Sequence, residues 1–151
     1  MAMPRVDFYL LGSRETAARL RFACRLVEKA WLRDHRVCVQ LDPGGESAAF
    51  DDLLWTFADR SFVPHERMHK DEVPPAASAP VVIADGDSSG PDDRDMLVNL
   101  GAGVPAAFQG YARIAEIVDA DDERRRLGRE RYRFYREHGI EPETHDMGNA
   151  S

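Results

Sequence analysis

The sequence predicts a three-layer α/β domain built on a mainly parallel sheet of about five strands flanked by helices. Three observations carry that prediction. Short apolar runs rich in β-formers alternate with longer segments whose apolar residues recur at helical spacing. The order strand, helix, strand, helix favours parallel pairing through crossover helices. A chain of 151 residues, 43% apolar and 31% charged, suits one globular domain with a single core.

The elements follow in order. Val6–Leu11 (VDFYLL) is a buried first strand closed by Gly12 and Ser13, with Ser13 placed to cap the helix that follows. Leu20, Ala23, Cys24, Val27, Ala30 and Trp31 then form one apolar helical stripe, with Arg19, Arg21, Arg25 and Glu28 assigned to the other face. Arg36–Leu41 reads as a second strand, ended by the turn signal Asp42-Pro43-Gly44-Gly45. A second helix over roughly Ser47–Ala58 carries Phe50, Leu53, Leu54 and Phe57 on one side, with Trp55 off that stripe.

Residues 66–79 read as a connecting loop, and Pro80–Ala84 as a third strand whose proline stands at the start, where a missing N–H is tolerated. Met96–Leu100 is a fourth strand after the polar turn Asp85–Asp93. Arg113–Val118 is a fifth, with a short helix as the competing reading. A last helix runs from about Asp121 to Glu137 and stops at Gly139. Residues 1–140 form the domain, and 141–151 form a C-terminal tail without apolar periodicity, flexible at its end.

Motifs for chemistry are sparse. The loop after the first strand, Gly12-Ser13-Arg14-Glu15, has one glycine, too few for a backbone cradle around phosphate, so no nucleotide cofactor is expected. There is no GxSxG, no CxxC and no HExxH. Cys24 and Cys38 suit buried small apolar positions in a reducing compartment, and His65 with His69 beside Pro64 makes a poor metal pair. No catalytic residue and no metal site is expected. Asp85–Asp87 with Asp92 and Asp93 leave one enzymatic alternative, a magnesium- or nucleotide-dependent phosphotransfer. No apolar run approaches the ~20 residues of a membrane span, and the N-terminal residues lack signal-peptide anatomy, so the expected location is cytoplasmic.

Charge is the informative part. The net charge of −7 opposes wholesale wrapping by nucleic acid, yet residues 124–136 carry seven arginines against one glutamate. On a helical wheel Arg125, Arg129, Arg133 and Arg136 lie within about 80°, with Tyr132 at the edge, while Leu127 and Phe134 point to the opposite, core-facing side. Guanidinium forks beside an aromatic platform suit carboxylates and a planar apolar group. This face reads as a solvated surface, a grip for an acidic peptide, or a direct contact to nucleic acid.

Three segments resemble the chi subunit of DNA polymerase III. They are Val6–Leu11; Leu54-Trp55-Thr56-Phe57 followed by Ser61-Phe62-Val63-Pro64-His65; and Arg129–Arg136 (RERYRFYR) with Gly139 behind it. The likeness runs from residue 3 to about 145; the loop from His65 to Pro80 departs from the family, and Val118–Glu123 is shorter. The resemblance implies a Rossmann-like fold without a nucleotide site and a non-catalytic adaptor with two protein partners, nucleic acid being met only indirectly. One partner is the psi subunit of the clamp loader, for which Trp55, Phe62, Val63 and Pro64 are the candidate contacts. The other is the acidic C-terminal tail of single-stranded-DNA-binding protein, ending in Pro-Phe. The resemblance carries that tail onto Arg125, Arg129, Tyr132 and Arg133, with Ile140 and Thr144 beyond Gly139.

Overall fold

A computed structural model describes residues 3–42, 46–58, 62–68, 79–85, 94–105 and 108–148. Seven strands make one sheet, all neighbours parallel, in the order β3-β4-β2-β5-β6-β1-β7. The strands are β1 Arg5–Leu11, β2 Val37–Leu41, β3 His65–Met68, β4 Val81–Asp85, β5 Met96–Asn99, β6 Arg113–Val118 and β7 Glu143–Gly148. Helices α1 (Thr16–Leu32) and α2 (Ser47–Thr56) cover one face, and α3 (Asp122–Glu137) covers the other. The three-layer prediction is thus met, with seven strands in place of about five.

The inner strands are apolar because both their faces are covered, as in other parallel sheets. All four residues of β5 are buried, as are five of the six in β6, which makes Arg113–Val118 a strand and not a helix. On β1, Val6, Phe8 and Leu10 face α3, while Asp7 and Tyr9 face the α1 side. This alternation sets out both faces of the margin where β1 meets β7.

Both edge strands escaped the sequence reading. β3 (His-Glu-Arg-Met) runs from His65 into the segment 66–79 read as a loop, and β7 (Glu-Thr-His-Asp-Met-Gly) lies in the segment read as a tail. An edge strand pairs on one side only; most of β7 is exposed, and β3 is a short polar run with His65 buried and Glu66 exposed, so neither of these two shows an apolar alternation. β7 pairs with β1 from Asp7↔Glu143 to Leu10↔Asp146, then shifts register between Leu10 and Leu11.

Three local expectations also change. Glu15, not Ser13, occupies the N-cap position of α1, and the Ser13 hydroxyl accepts the Glu15 N–H at 3.1 Å. Arg19 is buried: its guanidinium donates to Leu100 O (3.1 Å) and to the Glu46 carboxylate. The buried line of α3 is Gly128, Arg131 and Tyr135, with Leu127 and Phe134 half-buried at its flanks. At the start of α3, Asp121 caps the Arg124 N–H at 3.0 Å, and that bond holds its carboxyl below the usual range. Gly139, with φ of 82°, ends the helix in the left-handed region that glycine tolerates best.

Candidate functional site

The arginines of α3 divide into two groups. Arg131 points inward and its Nε donates to Glu116 Oε1 at 2.9 Å, both side chains being buried. The same carboxylate accepts Asn99 Nδ2 at 3.0 and 3.1 Å and the Tyr135 hydroxyl at 2.7 Å. Burial, and then the charge of Glu116, push the Tyr135 phenol far up, so it stays a donor. Arg124 binds Asp119 through two bonds of 2.7 Å, and Arg126 lies between Glu123 and Glu130. Arg129, Arg133 and Arg136 have no ion pair among the described residues, and Arg133 and Arg136 stand exposed beside Arg129.

Between α3 and the β1–β7 margin lies a pocket of about 250 Å³. Its apolar lining is Phe8 and Leu10 from β1, Val118 from β6, and Gly128. Tyr132, its ring 5.4 Å from that of Phe8, forms a wall, Thr144 of β7 closes the far side, and Arg125 and Arg129 stand at the rim. Arg125 is steadied there by bonds from Nε to Asp119 O (3.2 Å) and from Nη2 to Leu11 O (3.4 Å). Gly128 lets α3 approach β6 closely at the pocket floor, since a Cβ at that position would sit 3.0 Å from Val118 Cγ2. An arrangement of this kind can hold an apolar or aromatic group while two or more guanidinium groups bind carboxylates above it.

Of the six residues singled out for the tail, the structure brings Arg125, Arg129, Tyr132 and Thr144 into one pocket. Arg133 lies beside it on the exposed face of α3, and Ile140 is buried in the α3-side core. Sequence reasoning passed over Phe8, Leu10, Val118 and Gly128. The glycine carried a usable signal: in a helix interior it costs about 1 kcal/mol relative to alanine, so its presence there asks for a packing reason.

Comparison with known proteins now decides the family. The model of the family described as DNA polymerase III chi subunit, HolC, matches residues 3–143. This chain belongs to the chi family. It is 36% identical over 145 residues to the DNA polymerase III subunit chi of Pseudomonas aeruginosa, covering 96% of this chain and 98% of that one. Against the subunit chi of Escherichia coli the identity is 27% over 146 residues, covering 94% and 97%. Among solved structures, the C-terminal domain of the DEAD-box protein Dbp5 shares the fold alone, with a TM-score of 0.60 and 8% identity over 93% of this chain and 90% of that one.

The other candidates of this chi-family chain are placed as follows. Trp55 is 48% and Phe62 is 71% exposed, and Pro64 is exposed as well, whereas Val63 is fully buried in the core under α1 and α2. The Trp55 ring lies 4.3 Å from that of His65, which bonds Val63 O and Asp51, both at 2.7 Å. His69 and the acidic run 86–93 lie outside the described residues, as do Pro43-Gly44-Gly45. At the C-terminal strand ends, where α/β folds bind ligands, a crevice of about 150 Å³ is lined by charges already paired with protein groups: Arg19 with Glu46, Arg124 with Asp119, and Asp42 with the Ala102 N–H. Asp7, Glu143 and His145 hold ligand atoms within 4.8 Å of one another, but Arg5 and Arg113 already bridge Asp7 and oppose a cation there. Cys24 and Cys38 are both free and buried. Among the described residues no helix is long and apolar enough to cross a membrane.

Proposed function

We propose that this chain is a non-catalytic adaptor of the DNA polymerase III clamp-loader assembly during DNA replication in the cytoplasm. It grips the acidic C-terminal tail of single-stranded-DNA-binding protein between α3 and the β1–β7 margin. The observation that carries this reading is the pocket itself, an apolar hole of side-chain size beneath Arg125 and Arg129, which have no ion pair among the described residues. The final Phe of the tail enters over Phe8, Leu10 and Val118 and packs on Tyr132, while Arg129 and Arg125 take its terminal carboxylate and nearby aspartates. Arg133 extends the positive face toward more distant acids.

The second partner, psi, docks on the exposed apolar pair Trp55 and Phe62 with Pro64, a patch of the kind that marks protein contacts. Val63 supports that patch from beneath. The two docking surfaces use different elements, α3 with β7 and α2 with the segment after it, so one chain can hold both partners at once.

The test is fluorescence anisotropy with a labelled acidic peptide ending in Pro-Phe, at two salt concentrations, beside a control lacking the Phe. Binding should be lost with the Phe and lost again in Arg129→Ala. A folded Arg129→Ala variant that binds the peptide as the parent does sinks the assignment.

A further inference from the structure

The α1 side of the same sheet margin carries a second opening. α1 packs over β2 and β6, and a pocket of about 270 Å³ opens between the helix and β1. Tyr9, Phe22, Leu26 and Met147 supply its apolar lining. Tyr9 is fixed on both sides: its ring stacks on His145 at 5.0 Å, and its hydroxyl accepts Arg113 Nη2 at 2.7 Å. Along the rim Arg25 and Lys29 follow one turn apart on α1, about 6 Å, and Arg33 follows four residues on, at the C-cap. All three are exposed, and none has an ion pair among the described residues.

Two acids near this rim are already engaged. Asp95 bonds His35 at 2.6 Å, and Asp7, fully buried, is held by Arg113, Arg5 and His145. Three free cations therefore border an apolar hole, the same chemistry as the α3 pocket built from different residues on the other face of the sheet. We propose that this opening is a second docking site for a protein segment, an acidic peptide that inserts one bulky apolar side chain between α1 and β1. Nucleic acid fits less well, since Tyr9 and Phe22 line a recess beneath the helix and offer no exposed stacking platform. The proposal stands independently of the α3 reading.

The probe is a short peptide of aspartates interrupted by a single Leu-Phe pair and amidated at its C-terminus, titrated into the isotope-labelled full chain and followed by amide NMR. Removing the terminal carboxylate disfavours the α3 pocket. Saturable shifts are expected at Leu26, Lys29, Ala30 and Met147, persisting in Arg129→Glu. The double variant Arg25→Glu/Lys29→Glu, altered only at exposed positions, should keep a dispersed spectrum and weaken binding by roughly tenfold or more. Met147→Asp, which changes the lining and not the rim, should weaken it as well. Absence of shifts on α1, or affinity unchanged in both folded variants, overturns the proposal. Stronger displacement of the same amides by oligodeoxythymidylate, with a steep salt dependence, overturns the assignment to a peptide.

Discussion

Replacing Gly128 with alanine tests the floor of the α3 pocket with a single methyl group. The new Cβ would stand 3.0 Å from Val118 Cγ2 and 3.3 Å from Cγ1. Comfortable carbon contacts lie at about 3.5–4.0 Å, so the shortfall is roughly half to one ångström. Val118 can yield little: it is 2% exposed, β-branched, and its strand is paired with both β1 and β5. The helix must lift instead. Alanine gains about 1 kcal/mol of helix propensity, against about 1–3 kcal/mol for overpacking. The net loss is roughly 0–2 kcal/mol, which lowers Tm by a few degrees in a chain of this size.

Peptide affinity should fall more than that loss suggests, because the variant stays folded at 25 °C while the methyl occupies the floor and Tyr132 moves with the helix. A loss of about tenfold, near 1.4 kcal/mol, is expected in the anisotropy assay. Unchanged affinity together with a lowered Tm would refute the argument, since the floor would then not be where the ligand sits. A raised Tm would refute the packing half of it.

Other consequences follow from the same geometry. Arg131→Met should cost about 3–5 kcal/mol, read from urea unfolding, because it leaves Glu116 charged and buried. Tyr135→Phe should cost less, about 1–3 kcal/mol, as Asn99 and Arg131 still bond that carboxylate. Burial raises the carboxyl of Asp7, but the bond to His145 and the charges of Arg113 and Arg5 outweigh it and hold it below 3.8. A depressed acid stabilises the fold above its unfolded value, and that stabilisation is lost as pH falls through the folded value. Urea midpoints should therefore hold down to about pH 4 and drop below it, less steeply in Asp7→Asn. Burial pushes the thiols of Cys24 and Cys38 up to about 12 and about 11, so neither should react with a thiol reagent at pH 8 unless the chain unfolds.

The inner sheet and the helices were readable because burial on both faces writes itself as continuous apolar runs, as in Val81–Ala84 and Met96–Val98. The edges were not. β3 contributes His-Glu-Arg-Met and β7 Glu-Thr-His-Asp-Met-Gly, and each pairs through its backbone with one neighbour only, which leaves little trace in residue type. Half of the α3 pocket was readable from the spacing of Arg125, Arg129 and Tyr132. The other half, Phe8, Leu10 and Val118, had been read only as strand core, because nothing in a local pattern tells which part of an apolar face a helix leaves open.

The arginines of α3 make the same point in electrostatic terms. In the sequence the seven are alike, and wheel geometry alone placed Leu127 and Phe134 at the core. What turns the helix is Glu116, a carboxylate set among the apolar residues Ile114, Ala115, Ile117 and Val118 of β6. Burying that charge requires a cation and further donors, and Arg131 and Tyr135, four residues apart and so on one face, supply them. Gly128 falls on the same line, three residues earlier, and meets Val118, two residues beyond Glu116 and on the same side of the strand. The buried ion pair thus fixes the rotation of α3, and that rotation places Arg125, Arg129 and Tyr132 at the pocket while Arg133 and Arg136 stay in solvent. Exchanging Glu116 and Arg131 together for a well-packed apolar pair could preserve stability. It would release the rotation of the helix, and with it the affinity of the pocket for an acidic peptide. Loss of binding in a stable double variant is the outcome that separates a positioning role for this pair from a purely stabilising one.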